Sequence, residues 1–168
     1  GLFTHPDGDH YIGQWDSNVA SGYGGYYYKG GSTSYQGQWF NDLQDGYGVE
    51  TRSEGSRYEG FFRGGRKNGY GIYHWKDGSS YYGKWANNVI SGSGTYSAND
   101  GRCFQGQWDQ SLIHGVGSYR WPSGREYRGQ YAWEQREGFG AFTWEDGRMY
   151  EGYWQEGKQH GVGRCTSD

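Results

Sequence analysis

The side chains with most to offer another molecule are aromatic: 9 tryptophans, 18 tyrosines and 7 phenylalanines in 168 residues. Such rings anchor peptides and amphipathic helices through large apolar contact areas. Reactive chemistry is harder to assemble. No serine, histidine and acid recur as a nucleophile–base–acid set, so no catalytic residue is expected. Gly-x-Gly occurs seven times, whereas a phosphate-cradling loop occurs once and opens a helix; no cofactor is expected. His160 lies near Cys165 in sequence. A zinc site takes about four ligands, so this pair would hold a metal only if a second copy supplied the rest. Arg57, Arg63, Arg66 and Lys67 form the densest basic cluster, diluted by Glu54 and Glu59. Acidic-lipid anchors use about four to eight such residues. A solvated face is the expectation, with lipid-headgroup contact as the alternative.

Composition narrows the class. Glycine also numbers 34, while Leu, Ile, Val and Phe together number 19. So few aliphatic residues would suggest disorder in a highly charged chain, but the net charge is only −3. Aromatic rings, each able to bury roughly 150–250 Å², replace the missing apolar surface. Glycine and aromatics in close alternation suit strands better than helices. The charge balance argues against nucleic acid as a partner. No apolar run is long enough for a transmembrane helix, no signal-peptide pattern opens the chain, and Cys103 and Cys165 make no disulfide framework. The expected setting is cytoplasmic, cytoskeletal or peripheral to a membrane.

The elements that position these residues come from a repeat. Tyr-x-Gly-x-Trp begins at Tyr11 and Tyr35 and returns, with substitutions, at Tyr58, Tyr81, Phe104, Tyr127 and Tyr150. The spacing is 24 residues once and 23 thereafter, the extra residue falling near Gly30-Gly31-Ser32. Seven residues beyond each Trp position comes Gly-x-Gly, from Gly22/Gly24 to Gly161/Gly163. Residues 1–10 read as the tail of a preceding repeat, so the chain reads as a piece of a longer array.

Residues at i, i+2 and i+4 share one face of a strand. Each repeat therefore predicts two strands, each with a glycine–aromatic face and a polar face. Asn, Asp or Gly stands at the third place of the six residues between the two strands, as at Asn18, Asp42 and Asn88. Asp-Gly or a relative joins one repeat to the next, as at Asp77-Gly78. The predicted fold is all-β: one array over 1–168, an elongated, single-layer, twisted antiparallel meander of stacked hairpins, an open trough without helices. Strand glycines normally weaken a sheet; their regular placement here predicts that each leaves room for a ring to lie over the backbone.

These boxes and turns resemble the MORN (membrane occupation and recognition nexus) repeat over essentially the whole chain. The resemblance implies a single-layer twisted antiparallel sheet without catalytic activity. It implies a scaffold with cytoskeletal, ciliary or membrane contacts, self-association through terminal repeats into a homodimer or longer assembly, or partner peptides bound along a groove. Some such arrays are accessory segments of lipid kinases, exchange factors and methyltransferases.

The groove candidates are the second-strand aromatics Tyr26, Tyr28, Tyr73, Trp75, Tyr96, Tyr119, Trp121, Phe142 and Trp144. Partial exposure and packing weigh equally for this set, and Trp75, Trp121 and Trp144 are expected to form a ladder. Glu50 and Arg52 interrupt the aromatic series in the second repeat, as an ion pair or a polar recognition point. Tyr150, Tyr153, Trp154 and His160 are the candidates for self-association, because the open edge of a meander invites another chain.

Overall fold

The structure, a computed structural model, describes residues 1–167. It has fifteen strands and no helix among the described residues. They are β1 Leu2–Thr4, β2 His10–Asp16, β3 Val19–Tyr27, β4 Ser34–Phe40, β5 Leu43–Thr51, β6 Arg57–Arg63, β7 Arg66–His74 and β8 Ser80–Ala86. There follow β9 Val89–Ser97, β10 Cys103–Asp109, β11 Leu112–Arg120, β12 Glu126–Ala132, β13 Gln135–Thr143, β14 Met149–Gln155 and β15 Lys158–Thr166. Strand order is chain order in an open antiparallel meander. Contacts divide the chain into two compact units, 1–89 and 90–168, and each is described by itself.

Two kinds of turn set the register. Within a repeat the strands run right up to a two-residue turn, so the six-residue interval of the sequence is mostly strand. Both turn residues take positive φ: 52° and 69° at Ser17-Asn18, 49° and 73° at Asn87-Asn88. This mirror-image turn matches the right-handed twist of the strands it joins. Gln110-Ser111 and Trp133-Glu134 adopt the same conformation without the residues that usually favour it. Between repeats, the Asp-Gly turns carry positive φ at the glycine, as at Gly78 (91°), and the Asp77 carboxylate accepts from the Ser79 amide at 2.8 Å. The extra residue falls where the sequence places it: Gly30 and Gly31 both take positive φ, and the Tyr28 carbonyl accepts from the Gly31 amide.

The core of both units is one motif repeated. Tyr11, Tyr35 and Tyr58 in the first unit, and Phe104, Tyr127 and Tyr150 in the second, are buried. Each lies over a glycine of the adjoining strand. Gly13 pairs with Gly24 and Gly129 with Gly140 across neighbouring strands. A Cβ on Gly24 would fall inside the Tyr11 ring, and one on Gly140 inside the Tyr127 ring. The hydroxyl then reaches past the glycine to a backbone carbonyl: Tyr11 to Gln14 at 2.8 Å, Tyr35 to Gln38 at 2.7 Å, Tyr127 to Gln130 at 2.8 Å.

Within each unit the next repeat closes the preceding ring from the side. Trp39 meets Tyr11 edge-on at 5.3 Å, Trp85 meets Tyr58 at 5.4 Å, and Trp154 meets Tyr127 at 5.4 Å. The same indoles donate to glycine carbonyls of the preceding repeat, Trp39 to Gly24 at 2.9 Å and Trp154 to Gly140 at 3.1 Å. Turn residues add a backbone link. The Asp42 amide donates to the Ala20 carbonyl and its carboxylate accepts from the Ala20 amide; Asn88 does the same for Lys67.

The first glycine of each Gly-x-Gly serves another purpose. It takes positive φ, 90° at Gly22 and 85° at Gly138, where the register shifts by a bulge. The glutamine before the Trp position folds over that glycine. Gln14 Oε1 accepts from the Tyr23 amide and Gln130 Oε1 from the Phe139 amide, both at 2.7 Å. In sequence these glutamines read only as a polar face.

That second face is less polar than the repeat implies. The middle residue of Gly-x-Gly points there, leaving Tyr23, Tyr47, Tyr70 and Phe139 exposed. Tyr47 pairs with Phe61 at 5.9 Å and Phe139 with Tyr153 at 5.8 Å.

The ring-over-glycine contact sets a sharp test. Gly48→Ala places a methyl inside the Tyr35 ring and is expected to destabilise the protein by about 1–3 kcal/mol or more in urea unfolding. Gly157→Asn has open space at a φ of 79°, in the place Asn88 takes, and should change stability by less than about 0.5 kcal/mol.

Candidate functional site

The aromatic face is built outward from the buried rings. The residue two places after the second glycine of Gly-x-Gly (Tyr26, Tyr73, Tyr96, Tyr119, Phe142) flanks the core, and the next-but-one aromatic continues towards the turn. In the first unit, Tyr26 and Tyr28 are 4.9 Å apart, and Tyr73 and Trp75 are 4.8 Å apart. Tyr28 is 44% exposed, while Tyr26, Tyr73 and Trp75 are half-buried. The Tyr26 hydroxyl donates to Asp9 at 2.9 Å. Burial and this carboxylate push the Tyr26 pKa up to about 12.

In the second unit the rings run together. Tyr119 meets Trp121 at 4.4 Å, Trp121 meets Phe142 at 5.7 Å, and Phe142 meets Trp144 at 4.8 Å. Arg125 lies 5.3 Å over Trp121 and Arg148 lies 5.7 Å over Trp144. Tyr96 is half-buried beside Trp108 at 6.5 Å. Trp121 and Trp144 do belong to one row, joined through Phe142; Trp75 lies in the other unit. Phe142 itself is buried, 6% exposed. It supports the row rather than presenting a surface, because Trp121, Trp144, Trp154 and Arg136 pack around it.

Further charged residues enter this face. Glu50 and Arg52 form an ion pair of 3.0 Å, with Glu50 the better sheltered. Lys67 is buried, 8% exposed. Its ammonium sits 5.4 to 5.9 Å over Tyr58, Tyr73 and Trp85 and 3.9 Å from Glu50. Burial lowers its pKa against the pull of Glu50. Arg136 repeats the arrangement, its guanidinium 4.7 Å from Trp154, 5.5 Å from Phe142 and 5.8 Å from Tyr127.

Several sequence expectations are corrected. Lys67 does not share a solvated basic surface with Arg57, Arg63 and Arg66, because its strand position turns it onto the aromatic face. Of the other three, all exposed, Arg57 is paired with Glu59. Among the self-association candidates, Tyr150 and Trp154 are core residues, held by their glycine and tyrosine contacts. Tyr153 is exposed on the opposite face and His160 is exposed on β15. His160 and Cys165 stand five residues apart on β15, on the order of 16 Å in an extended strand, and do not converge on one ion. Among the described residues no group of three His, Cys, Asp or Glu could hold a metal.

Comparison with known proteins now fits this geometry. A family model described as MORN repeat matches residues 11–33, 35–57, 58–80, 81–101, 104–124, 127–147 and 150–168. The chain belongs to the MORN repeat family. No curated protein is matched. The array is similar in structure to the TCP domain of Drosophila melanogaster SAS-4 (dCPAP), solved in complex with a proline-rich motif of Ana2 (dSTIL). That likeness has 12% identity, 94% of this chain and 96% of that chain covered, and a TM-score of 0.50. It is similar also to the CPAP G-box domain (13% identity, 100% and 98% covered, TM-score 0.38) and to the wild-type TCP10 domain of Danio rerio CPAP (14%, 91% and 83%, 0.31). At these identities the likeness is one of fold. No helix among the described residues is long and apolar enough to cross a membrane.

The MORN core should be labile to alkali. Burial raises the pKa of Tyr81 and Tyr127 to about 12 from an ordinary 10.0, and raises Tyr35 and Tyr58 too. Such a tyrosine keeps its proton in the fold after the unfolded chain has lost it. Its contribution is complete below pH 10 and is lost as the pH rises towards 12. Tyrosinate absorbance from these residues should therefore appear together with loss of the sheet signal in circular dichroism. Ionisation of all the tyrosines with the sheet intact would contradict this.

Proposed function

We propose that this MORN array is a non-catalytic, protein-interaction scaffold, and that a partner segment docks on its aromatic face. The observation that carries the reading is the row Tyr119–Trp121–Phe142–Trp144. Its rings are fixed by their neighbours at 4.4 to 5.7 Å and are half-buried except at Phe142, so little side-chain entropy is lost on contact. Aromatic rows of this kind suit extended, proline-rich segments, which are pre-ordered and present flat faces. The complex of the similar SAS-4 domain with a proline-rich motif supports that class of partner.

The test uses a panel of synthetic proline-rich peptides followed by fluorescence anisotropy. Trp121→Ala and Trp144→Ala are each expected to weaken binding about ten-fold or more with circular dichroism unchanged. Phe139→Ala, on the other face, should leave it intact. Equal binding by all three variants would remove the aromatic face from the interaction.

Self-association is a second reading, favoured by one observation. All nine residues of β15 are exposed, with Val162 at 81%, and an unpaired edge strand is a template for another chain. Light scattering over a concentration series should show a homodimer or longer assembly, and Val162→Pro should return it to monomer. A wild-type chain that stays monomeric at high micromolar concentration would exclude it. The acidic-lipid reading retains only Arg57, Arg63 and Arg66, fewer than such anchors use. A cytoplasmic, cytoskeletal setting accords with the scaffold role.

A further inference from the structure

The turns between repeats in the second unit carry a recurrent ion pair, and one of them lacks it. In Asp100-Gly101-Arg102 the guanidinium Nε meets the Asp100 carboxylate at 2.8 Å. In Asp146-Gly147-Arg148 it meets Asp146 at 2.8 Å. The turn that stands between these two reads Ser123-Gly124-Arg125. Its backbone is the same. Gly124 takes a φ of 98°, against 94° at Gly101 and 91° at Gly147. The Trp121 amide donates to the Arg125 carbonyl, as the Ala98 and Trp144 amides donate to those of Arg102 and Arg148. What is missing is the carboxylate: Arg125 Nε donates instead to the neutral Ser123 hydroxyl at 3.2 Å.

Arg125 is therefore a cation without a counter-charge. No carboxylate pairs with it among the described residues, and its two amino groups make no hydrogen bond there. It is also better sheltered than its counterparts, half-buried where Arg102 and Arg148 are exposed. Its guanidinium is held 5.3 Å over Trp121. A cation that has lost part of its water gains more from an incoming carboxylate than a fully exposed one does, and the planar fork fits a carboxylate with two parallel bonds. The adjoining Pro122, Ser123 and Gly124 are exposed, so the approach from solvent is open. At Trp144 the equivalent cation, Arg148, is already neutralised by Asp146. Arg136, also without a carboxylate, donates to the Gly157 carbonyl and is enclosed by three rings. The aromatic row thus offers its free guanidinium at the Trp121 end.

We propose that Arg125 receives an acidic side chain of the docked segment, so that the partner carries Glu or Asp where it passes Trp121. This rests on the docking of a proline-rich segment along the row and adds a charge requirement to it.

The probes are fluorescein-labelled proline-rich peptides in pairs that differ only by Glu or Gln at one place, the place being moved along the peptide from pair to pair. Anisotropy should find a place where the wild-type chain binds Glu about five- to ten-fold more tightly than Gln, by a margin that shrinks as salt rises. Ser123→Asp rebuilds the pair that Asp100 and Asp146 make. It should keep the fold and the affinity for the Gln peptide while abolishing the Glu preference. Arg125→Gln should abolish the preference too, and decides if Ser123→Asp does not fold. A Glu preference that survives either substitution overturns the proposal. Equal binding of Glu and Gln at every place overturns it as well, with the docking left standing. If no proline-rich peptide binds at all, the docking fails and this contact with it.

Discussion

Everything in this array depends on an aromatic ring lying directly on a pair of glycines. A side chain on the second-strand glycine would occupy the volume of the ring, and one on its partner would meet the backbone of the facing glycine. Removing the ring would expose two bare strand backbones that have little else to pack. The contact therefore couples two residue types that are individually poor choices. Glycine weakens a strand because it brings no packing surface; a tyrosine in a single-layer sheet has no second layer to enter. Together they let one sheet bury its own core. The hydroxyl and indole then satisfy backbone carbonyls that the rings shield from water, so burial leaves no polar group stranded.

The coupling is also what makes the repeat additive. Tyr11, Tyr35, Tyr58, Phe104 and Tyr127 are each covered on one side by their own glycine pair and on the other by the Trp-position side chain of the following repeat. The turn residue of that repeat, Asp42 or Asn88, holds the backbone two strands back. Stability in such an arrangement is shared between neighbours. A position outside this contact can vary with little penalty. The ninth place after each repeat's first aromatic holds Ala20, Gln44, Lys67, Ile90, Ile113, Arg136 and Gln159. Variation at a site that faces the aromatic layer, rather than solvent, is how an otherwise uniform array acquires distinct local chemistry.

That variation separates the aromatic face into regions with different uses. Where an isoleucine stands at this place, the surface is simply closed. Where Lys67 and Glu50 meet, it is closed by a neutralised internal cation, and what looked like part of a basic surface is core. Around Trp121 and Trp144 the second-strand rings extend beyond the core and offer edges and faces to a partner. A cluster of cations in sequence is thus a poor guide to a cationic surface in a strand protein, since neighbours in sequence point in opposite directions.

The sequence by itself determined the number of repeats, the hairpin unit, the meander and the place of the extra residue. All of these follow from local spacing: a two-residue alternation, a turn signal and a constant period. It also determined that rings would lie on glycines, because their regular juxtaposition had no other use. Only the tertiary structure decided which rings remain available. Phe142 and Trp144 differ by two residues and read alike, but Phe142 is enclosed by Arg136 of its own strand and Trp154 of the adjoining one. Tyr150 and Trp154 read as a sticky end and are core for the same reason. The glutamine clasps over Gly22 and Gly138 and the exposed Tyr23 and Phe139 on the second face also came from cross-strand placement. The alternation of a strand tells which face a residue takes; what covers that face is set by residues one repeat away.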